Sequence, residues 1–308
     1  MAPERDGDTK QEMNRRAQIR FLPDGRRLHL QDGPIDLIIG AFGAAVDLER
    51  AYHAAGARFV TVLDELCGEL SYLRRPCSPQ SEWPRESVAR RMTAAVMPYA
   101  SQCFITPMAA VAGAVAEEIL EAMLAAAELS RAYVNDGGDI AVHLGPNAKF
   151  VVGMVERPDR PSLLGLATLN SSGPVRGIAT SGWRGRSFSL GIADAVTVLA
   201  DRAAAADAAA TIVANAVDLP GHPAIVRVPA CDLAPDSDLG HRPVTQHVGE
   251  LMAADVEHAL ASGIQTAEKL LRVGLIRSAA LNLRGETRVV GSMAEALFRP
   301  EERILLHA

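Results

Sequence analysis

Two turn tripeptides, Pro23-Asp24-Gly25 and Asp32-Gly33-Pro34, cut residues 18–42 into three short apolar runs. Asp and Gly tolerate the tight backbone of a turn, and Pro pre-sets one of its angles, so the pattern predicts a three-stranded antiparallel meander. The habit returns later in the chain. RAYVN, DIAVHL, KFVVGMVE and SLLGLATLN follow one another between residues 131 and 170, punctuated by Gly and Pro. RGIATSG and AVTVLA continue it, and a hairpin is expected around Arg284-Gly285-Glu286.

Helical periodicity lies between these clusters. Ala45, Leu48, Tyr52, Ala55, Phe59, Val62, Leu66, Leu70 and Leu73 recur every three or four residues. That spacing predicts one long amphipathic helix over 44–73, ended by Pro76, Pro79 and Pro84. Further helices are expected over 85–97, 108–129, 202–217 and 250–273, with 224–249 mixed. Strands in clusters, with helices between the clusters, favour an α+β fold of antiparallel sheets packed with long helices over a doubly wound one. Residues 1–16 read as a disordered tail and 17–308 as a single domain, with a subdivision considered near the Arg157–Pro161 loop.

The chain of 308 residues has a formal net charge of -6, so it lacks the basic face that nucleic-acid binding requires. No apolar run approaches the ~18 residues of a membrane span. The polar start lacks the apolar core of a secretory signal, and the four cysteines form no CxxC pair. The expectation is a cytoplasmic protein with no nucleic-acid or membrane partner and a small-molecule or nucleotide ligand. A homo-oligomer fits the expected exposed sheet edges.

Four stretches carry groups suited to chemistry. In Asn135-Asp136-Gly137-Gly138-Asp139-Ile140 the two glycines allow a sharp turn or a close backbone approach to a ligand, and the aspartates add acceptors. A plain hairpin turn with solvated aspartates fits as well. Thr180, Ser181 and Gly182 offer hydroxyls and a free N–H, and Arg184 and Arg186 offer guanidinium groups that suit phosphate. A polar loop is the alternative. Asp207 and Thr211 stand i, i+4 in an alanine-rich helix and share a face. A carboxylate and a hydroxyl suit a hard cation beside a phosphate, while an Asp in the first turn also suits the helix dipole. Asp232, Asp236, Asp238, His241 and His247 match no metal-binding spacing and read as an acidic loop. His143 alternates with apolar neighbours as a strand residue would, and Cys103 is expected in the core.

Taken in order, NDGGDI, ATSG and the Ala-Asp-Ala-x-Ala-Thr helix after AVTVLA resemble the ApbE-like superfamily, which includes FAD-dependent flavin transferases. The opening RLHLQDGPIDLIIGAFG, with MAAVAGAVAE, resembles most its uncharacterised cytoplasmic branch. The likeness runs over about residues 17–292. It implies an ApbE-like α+β fold that binds FAD, with Mg²⁺ at the pyrophosphate. It assigns Gly137, Gly138 and Asp139, with Thr180, Ser181 and Gly182, to the cofactor, and Asp207 and Thr211 to the metal. Asn135 and Arg184 complete the expected cofactor-binding set.

Two departures bear on the chemistry. The transferases carry a lysine in a GIAKG motif, where this chain has Ala112. Their His-x-x-Asp-Pro-x-Thr-Gly segment after TSG is missing. Loss of a cation and several polar groups weakens transition-state stabilisation at a phosphate. The reading is an ApbE-like protein with a flavin or nucleotide and Mg pocket, its catalytic residues unassigned. The alternatives are FMN transfer to a protein Thr or Ser, a non-flavin enzyme of sulfur or heterocycle metabolism reusing the fold, and a non-catalytic binding or assembly protein.

Overall fold

The computed structural model describes residues 16–155 and 163–291. The expected tail and the Arg157–Pro161 loop therefore fall outside the described residues, apart from Arg16. The meander is present: β1 (Gln18–Phe21), β2 (Leu28–Asp32) and β3 (Ile35–Phe42) pair in antiparallel register through the two turns. Four helical segments follow, α1 (Ala45–Gly68), α2 (Leu70–Leu73), α3 (Ser87–Val96) and α4 (Val111–Ala126). Next come the strands β4 (Arg131–Asp136), β5 (Asp139–Leu144), β6 (Lys149–Val155), β7 (Leu163–Asn170), β8 (Gly177–Ser181) and β9 (Ala195–Ala200). The chain then forms α5 (Ala203–Ala216), β10 (Ile225–Pro229), α6 (Ala230–Leu233) and β11 (Pro243–Val248), and closes with α7 (Ala253–Arg272), β12 (Ser278–Leu283) and β13 (Glu286–Gly291).

Nine of these strands make one antiparallel sheet in the order β1-β2-β3-β4-β5-β8-β9-β12-β13. Side chains alternate across it. One face, with Leu37, Ile39, Val134, Ala141, Val196 and Leu281, meets the helices in the main core. The other, with Val142, Leu144, Ile178 and Leu199, packs under the β6–β7 hairpin. The α+β class with antiparallel sheets and long helices is therefore what the chain adopts. Among the described residues no helix is long and apolar enough to cross a membrane.

Three local expectations are corrected. The helix expected over 44–73 is two segments, because Glu69 leaves helical geometry at φ -111, ψ 11 directly after Gly68. The one expected over 108–129 starts as a 3₁₀ turn at Pro107–Ala110 and becomes α-helical only from Val111. Proline at the first position fits that turn, since its missing N–H would be unpaired there anyway. Cys103 is exposed rather than in the core, because it ends the turn that follows α3, with its thiol on the Tyr99 carbonyl at 3.7 Å. His143 is the strand residue expected, its Nε2 on the Leu129 carbonyl oxygen at 3.0 Å.

Candidate functional site

The site forms where the β4–β5 turn meets the crossing of α4 and α5. Alanine is the reason these helices can cross so closely. Ala203, Ala204, Ala206, Ala208, Ala209 and Ala210 are all buried. Gly113 in the first turn of α4 lies directly on the backbone of Ala203 and Ala204, where any Cβ would collide. Both helices start at this crossing, so unpaired first-turn N–H groups gather there. Asp207 of α5 accepts a hydrogen bond from the Gly113 N–H at 3.0 Å. Glu117 of α4 accepts one from the Ala204 N–H at 2.9 Å.

The two caps differ in charge balance. Glu117 also accepts from Arg202 at 2.7 Å and pairs with Arg91 at 3.3 Å. Asp207 has no such cation and faces carboxylates instead. Asp136 and Asp139 pair across the two-residue Gly137-Gly138 turn, so both side chains leave the same face of the sheet. That is the face shared by Val134 and Ala141, which looks towards α5. Gly137 has φ 62 and Gly138 φ 116, angles that favour glycine in a turn this tight.

Burial dominates the electrostatics. It pushes the Asp207 carboxyl up to about 7, against the lowering effect of the Gly113 and Ala112 N–H groups, and the charge of Asp136 adds to the rise. Burial likewise raises Asp136 to about 7, while Arg186 acts in the opposite sense. Asp139 is driven upward first by burial and next by the charge of Asp207, although the Thr180 N–H donates to it at 3.2 Å. Among the described residues none of these three aspartates has an ion-pair partner, whereas Glu117 has two within 4 Å. Three close carboxyl groups without matching cations either hold protons or attract a cation.

The residues expected from the sequence are placed unevenly around this turn. Gly137 and Gly138 form the turn, Asp139 follows it, and Thr180 reaches Asp139 through its N–H. The Thr180 hydroxyl itself lies on the other face, 2.9 Å from that of Thr197. Ser181 ends β8, and Gly182 packs onto the main chain of Asp194. Asp207 and Thr211 stand one turn apart on α5, both half-buried. Asn135 closes the turn, its Oδ1 accepting from the Gly138 N–H at 2.8 Å.

Arg184 is directed elsewhere. Its Nε donates to the buried Asp194 at 2.7 Å, and its guanidinium stacks on Trp183, 4.2 Å from the ring centre. The exposed guanidinium of Arg186, two residues on, lies over Gly137 so closely that a Cβ there would collide with it. Asp136 and Arg186 are the site residues outside the expected binding set. The signal for Asp136 was the glycine pair, since a two-residue turn places its flanking residues opposite each other.

The acidic loop 231–247 does not gather a metal site. Asp236 pairs with Arg74 at 2.7 Å, Thr106 donates to Asp238, and the Cys231 thiol meets His241 Nδ1 at 3.3 Å. Among the described residues no three of His, Cys, Asp and Glu are arranged to hold a metal ion by themselves. A cation at Asp207 would therefore need the Thr211 hydroxyl and oxygens from a ligand. Hard oxygen donors of that kind suit Mg²⁺, which keeps much of its shell for phosphate and water.

Comparison with known proteins matches this architecture to a family. The family model described as "AbpE bacteria" fits residues 19–289. The UPF0280 protein of Methanopyrus kandleri is 41% identical over 128 residues, which is 42% of this chain and 48% of that protein. The UPF0280 protein of Methanothrix thermoacetophila is 40% identical over 123 residues, 39% of this chain and 50% of its own length. The chain thus spans about half the length of the curated relatives it matches. The apo crystal structure of the Pseudomonas stutzeri flavinyl transferase ApbE aligns with 91% of this chain and 94% of its own, at 12% identity and a TM-score of 0.42. By the span of the family match, this chain belongs to the AbpE bacteria family.

Proposed function

We propose that the crossing of α4 and α5 is a divalent-cation-dependent binding site for a phosphate-bearing cofactor, FAD or a related nucleotide. The observation that carries this reading is the cluster of the buried Asp136 with the half-buried Asp139 and Asp207, without an ion-pair partner among the described residues. Mg²⁺ bound by Asp207 and Thr211 would offset that charge and supply a Lewis-acidic bridge to a diphosphate. Arg186 over Gly137 is placed to meet a phosphate oxygen, which a planar guanidinium binds well. The likeness of the chain to flavin transferases supports FAD as the first ligand to test.

The same site favours binding over group transfer. The transferase lysine is replaced by Ala112, whose N–H faces Asp207 in the first turn of α4. A group that would stabilise a transferring phosphoryl is thereby removed. The reading is a flavin or nucleotide pocket whose own reaction is not FMN transfer to a protein hydroxyl.

The test is a thermal-shift titration of the purified protein with FAD, FMN and ATP, each with and without Mg²⁺. A ligand that binds only the folded state raises the melting temperature. A rise for FAD that requires Mg²⁺ supports the reading. No rise with any of the three at millimolar ligand contradicts it.

A further inference from the structure

A cavity lies on the same strands, away from the carboxylates. It has a volume of about 880 Å³ and opens between the β1–β2 turn, the end of β3 and the start of α1. Tyr133 of β4 reaches into it, three residues before Asp136. Strands advance about 3.3 Å per residue, so some 10 Å of backbone separates the two positions.

Its walls are unusual for this chain. Seven Phe, four Tyr and two Trp are all the aromatic residues in 308. Four of those thirteen, Phe21, Phe42, Tyr52 and Tyr133, line this one cavity. Phe21 is 54% exposed and Phe42 41% exposed, and Ile19, at 43%, lines the same cavity. Clefts lined by aromatic side chains with a few polar groups are typical of small-molecule sites.

The cavity is also preformed. The Tyr52 hydroxyl donates to the Arg26 carbonyl oxygen at 2.6 Å and accepts from the Ala41 N–H at 3.2 Å, which ties the β1–β2 turn to the end of β3. Phe21 packs edge-on against Tyr52, with ring centres 5.5 Å apart. The Tyr133 ring lies flat on the sheet over Gly40, its cross-strand neighbour, in space that any Cβ at position 40 would occupy. Glycine at this point of a strand gives the cavity a planar aromatic surface. Around the apolar walls stand Arg26, Glu49 and His53, whose side chains have no hydrogen-bond or ion-pair partner among the described residues.

We infer that this cavity is a second small-molecule site, for a flat fused heteroaromatic ring with hydrogen-bonding edge atoms. Its volume falls in the range of about 300–1,000 Å³ typical of such sites. Aromatic walls favour stacking and edge contacts on a planar ring. Two cations (Arg26 and Arg27), two carboxylates (Asp24 and Glu49) and one imidazole balance at the rim and suit an uncharged ring with both donors and acceptors better than a charged one. The inference is independent of the carboxylate site.

The probe is lumichrome, a three-ring heteroaromatic without sugar or phosphate, followed by its fluorescence on titration with the full chain. Naphthalene is the purely apolar control. The expected result is saturable one-to-one lumichrome binding, at least tenfold tighter than naphthalene. It weakens at least tenfold in Phe42→Ala and in Phe21→Ala, two exposed positions whose truncation leaves the core intact. Asp207→Asn does not change it. The inference is overturned by lack of saturable binding, by equal binding of naphthalene, by undiminished binding in both Phe variants, or by loss of binding in Asp207→Asn.

Discussion

Glu117 and Asp207 cap each other's helices. The carboxylate of each lies within the first two turns of its own helix and accepts an N–H from the first turn of the other, Glu117 from Ala204 at 2.9 Å and Asp207 from Gly113 at 3.0 Å. The geometry is reciprocal but the electrostatics is not, since Glu117 is neutralised by Arg202 and Arg91 while Asp207 faces Asp139 and Asp136. A cap alone would account for Asp207. A cap placed among uncompensated carboxyl groups is what the proposed cation would offset.

The asymmetry separates two substitutions. Glu117→Gln keeps an oxygen acceptor for the Ala204 N–H but removes the charge that balances Arg202, so it should lower stability by about 2 kcal/mol, in the range for hydrogen bonds to charged groups. Asp207→Asn keeps the Gly113 cap and relieves like-charge repulsion. It should leave the metal-free protein as stable as wild type at pH 8, or more so. Urea denaturation followed by circular dichroism measures both, and equal destabilisation by the two would remove the distinction.

The stability of the metal-free protein should fall as pH rises. Asp136 and Asp207 titrate near 7 in the folded chain, above the ordinary carboxylate value of 3.8. Between those two values the folded state holds more protons than the unfolded one. Their protonated forms therefore stabilise the fold below about pH 4, and that contribution is lost as pH climbs through about 7. Melting curves at pH 5 and pH 8 in EDTA should show the lower temperature at pH 8, and Asp207→Asn should reduce the difference. A flat or rising profile would show that these carboxyl groups stay ionised.

Arg186 should matter to ligand binding and not to folding. It is exposed, and among the described residues it has no ion-pair partner. Arg186→Ala should weaken binding of a diphosphate ligand about tenfold, in line with loss of one charge-assisted contact, with the melting temperature of the free protein unchanged. Arg184→Ala should do the reverse, because it strips the buried Asp194 of a cation at 2.7 Å. Calorimetric titration beside a thermal melt tests the pair. Equal ligand affinity in wild type and Arg186→Ala would take Arg186 out of the site.

Much of this arrangement was readable in the chain. Asp207 is the one polar residue among the alanines of 203–210, and Thr211 a turn later sets its face. The Gly-Gly turn and the TSG strand end were visible because glycine between β-type runs has few roles. What the sequence left ambiguous was register and loop path. Asn135 and Asp136 are adjacent, yet pleating sends one to close the turn and the other into the core face, and only the pairing of β4 with β5 decides which. Arg184 and Arg186 differ only in where a short loop carries them, which the packing of Trp183 on Asp194 determines. Cys103 lies next to an apolar helix in sequence but is exposed, in the turn after α3.

The most direct test of the cation-bridged pocket is calorimetric titration of FAD into wild type and Asp207→Asn, each in 5 mM Mg²⁺ and each in EDTA (concentration chosen on the order of typical Mg²⁺ affinities). The account predicts a Mg²⁺-dependent FAD binding event in the wild type that is absent in EDTA and absent from Asp207→Asn in either buffer, any ring binding at the aromatic cavity being common to all four arms. Equal FAD affinity in all four arms, or no FAD binding in any, would contradict it.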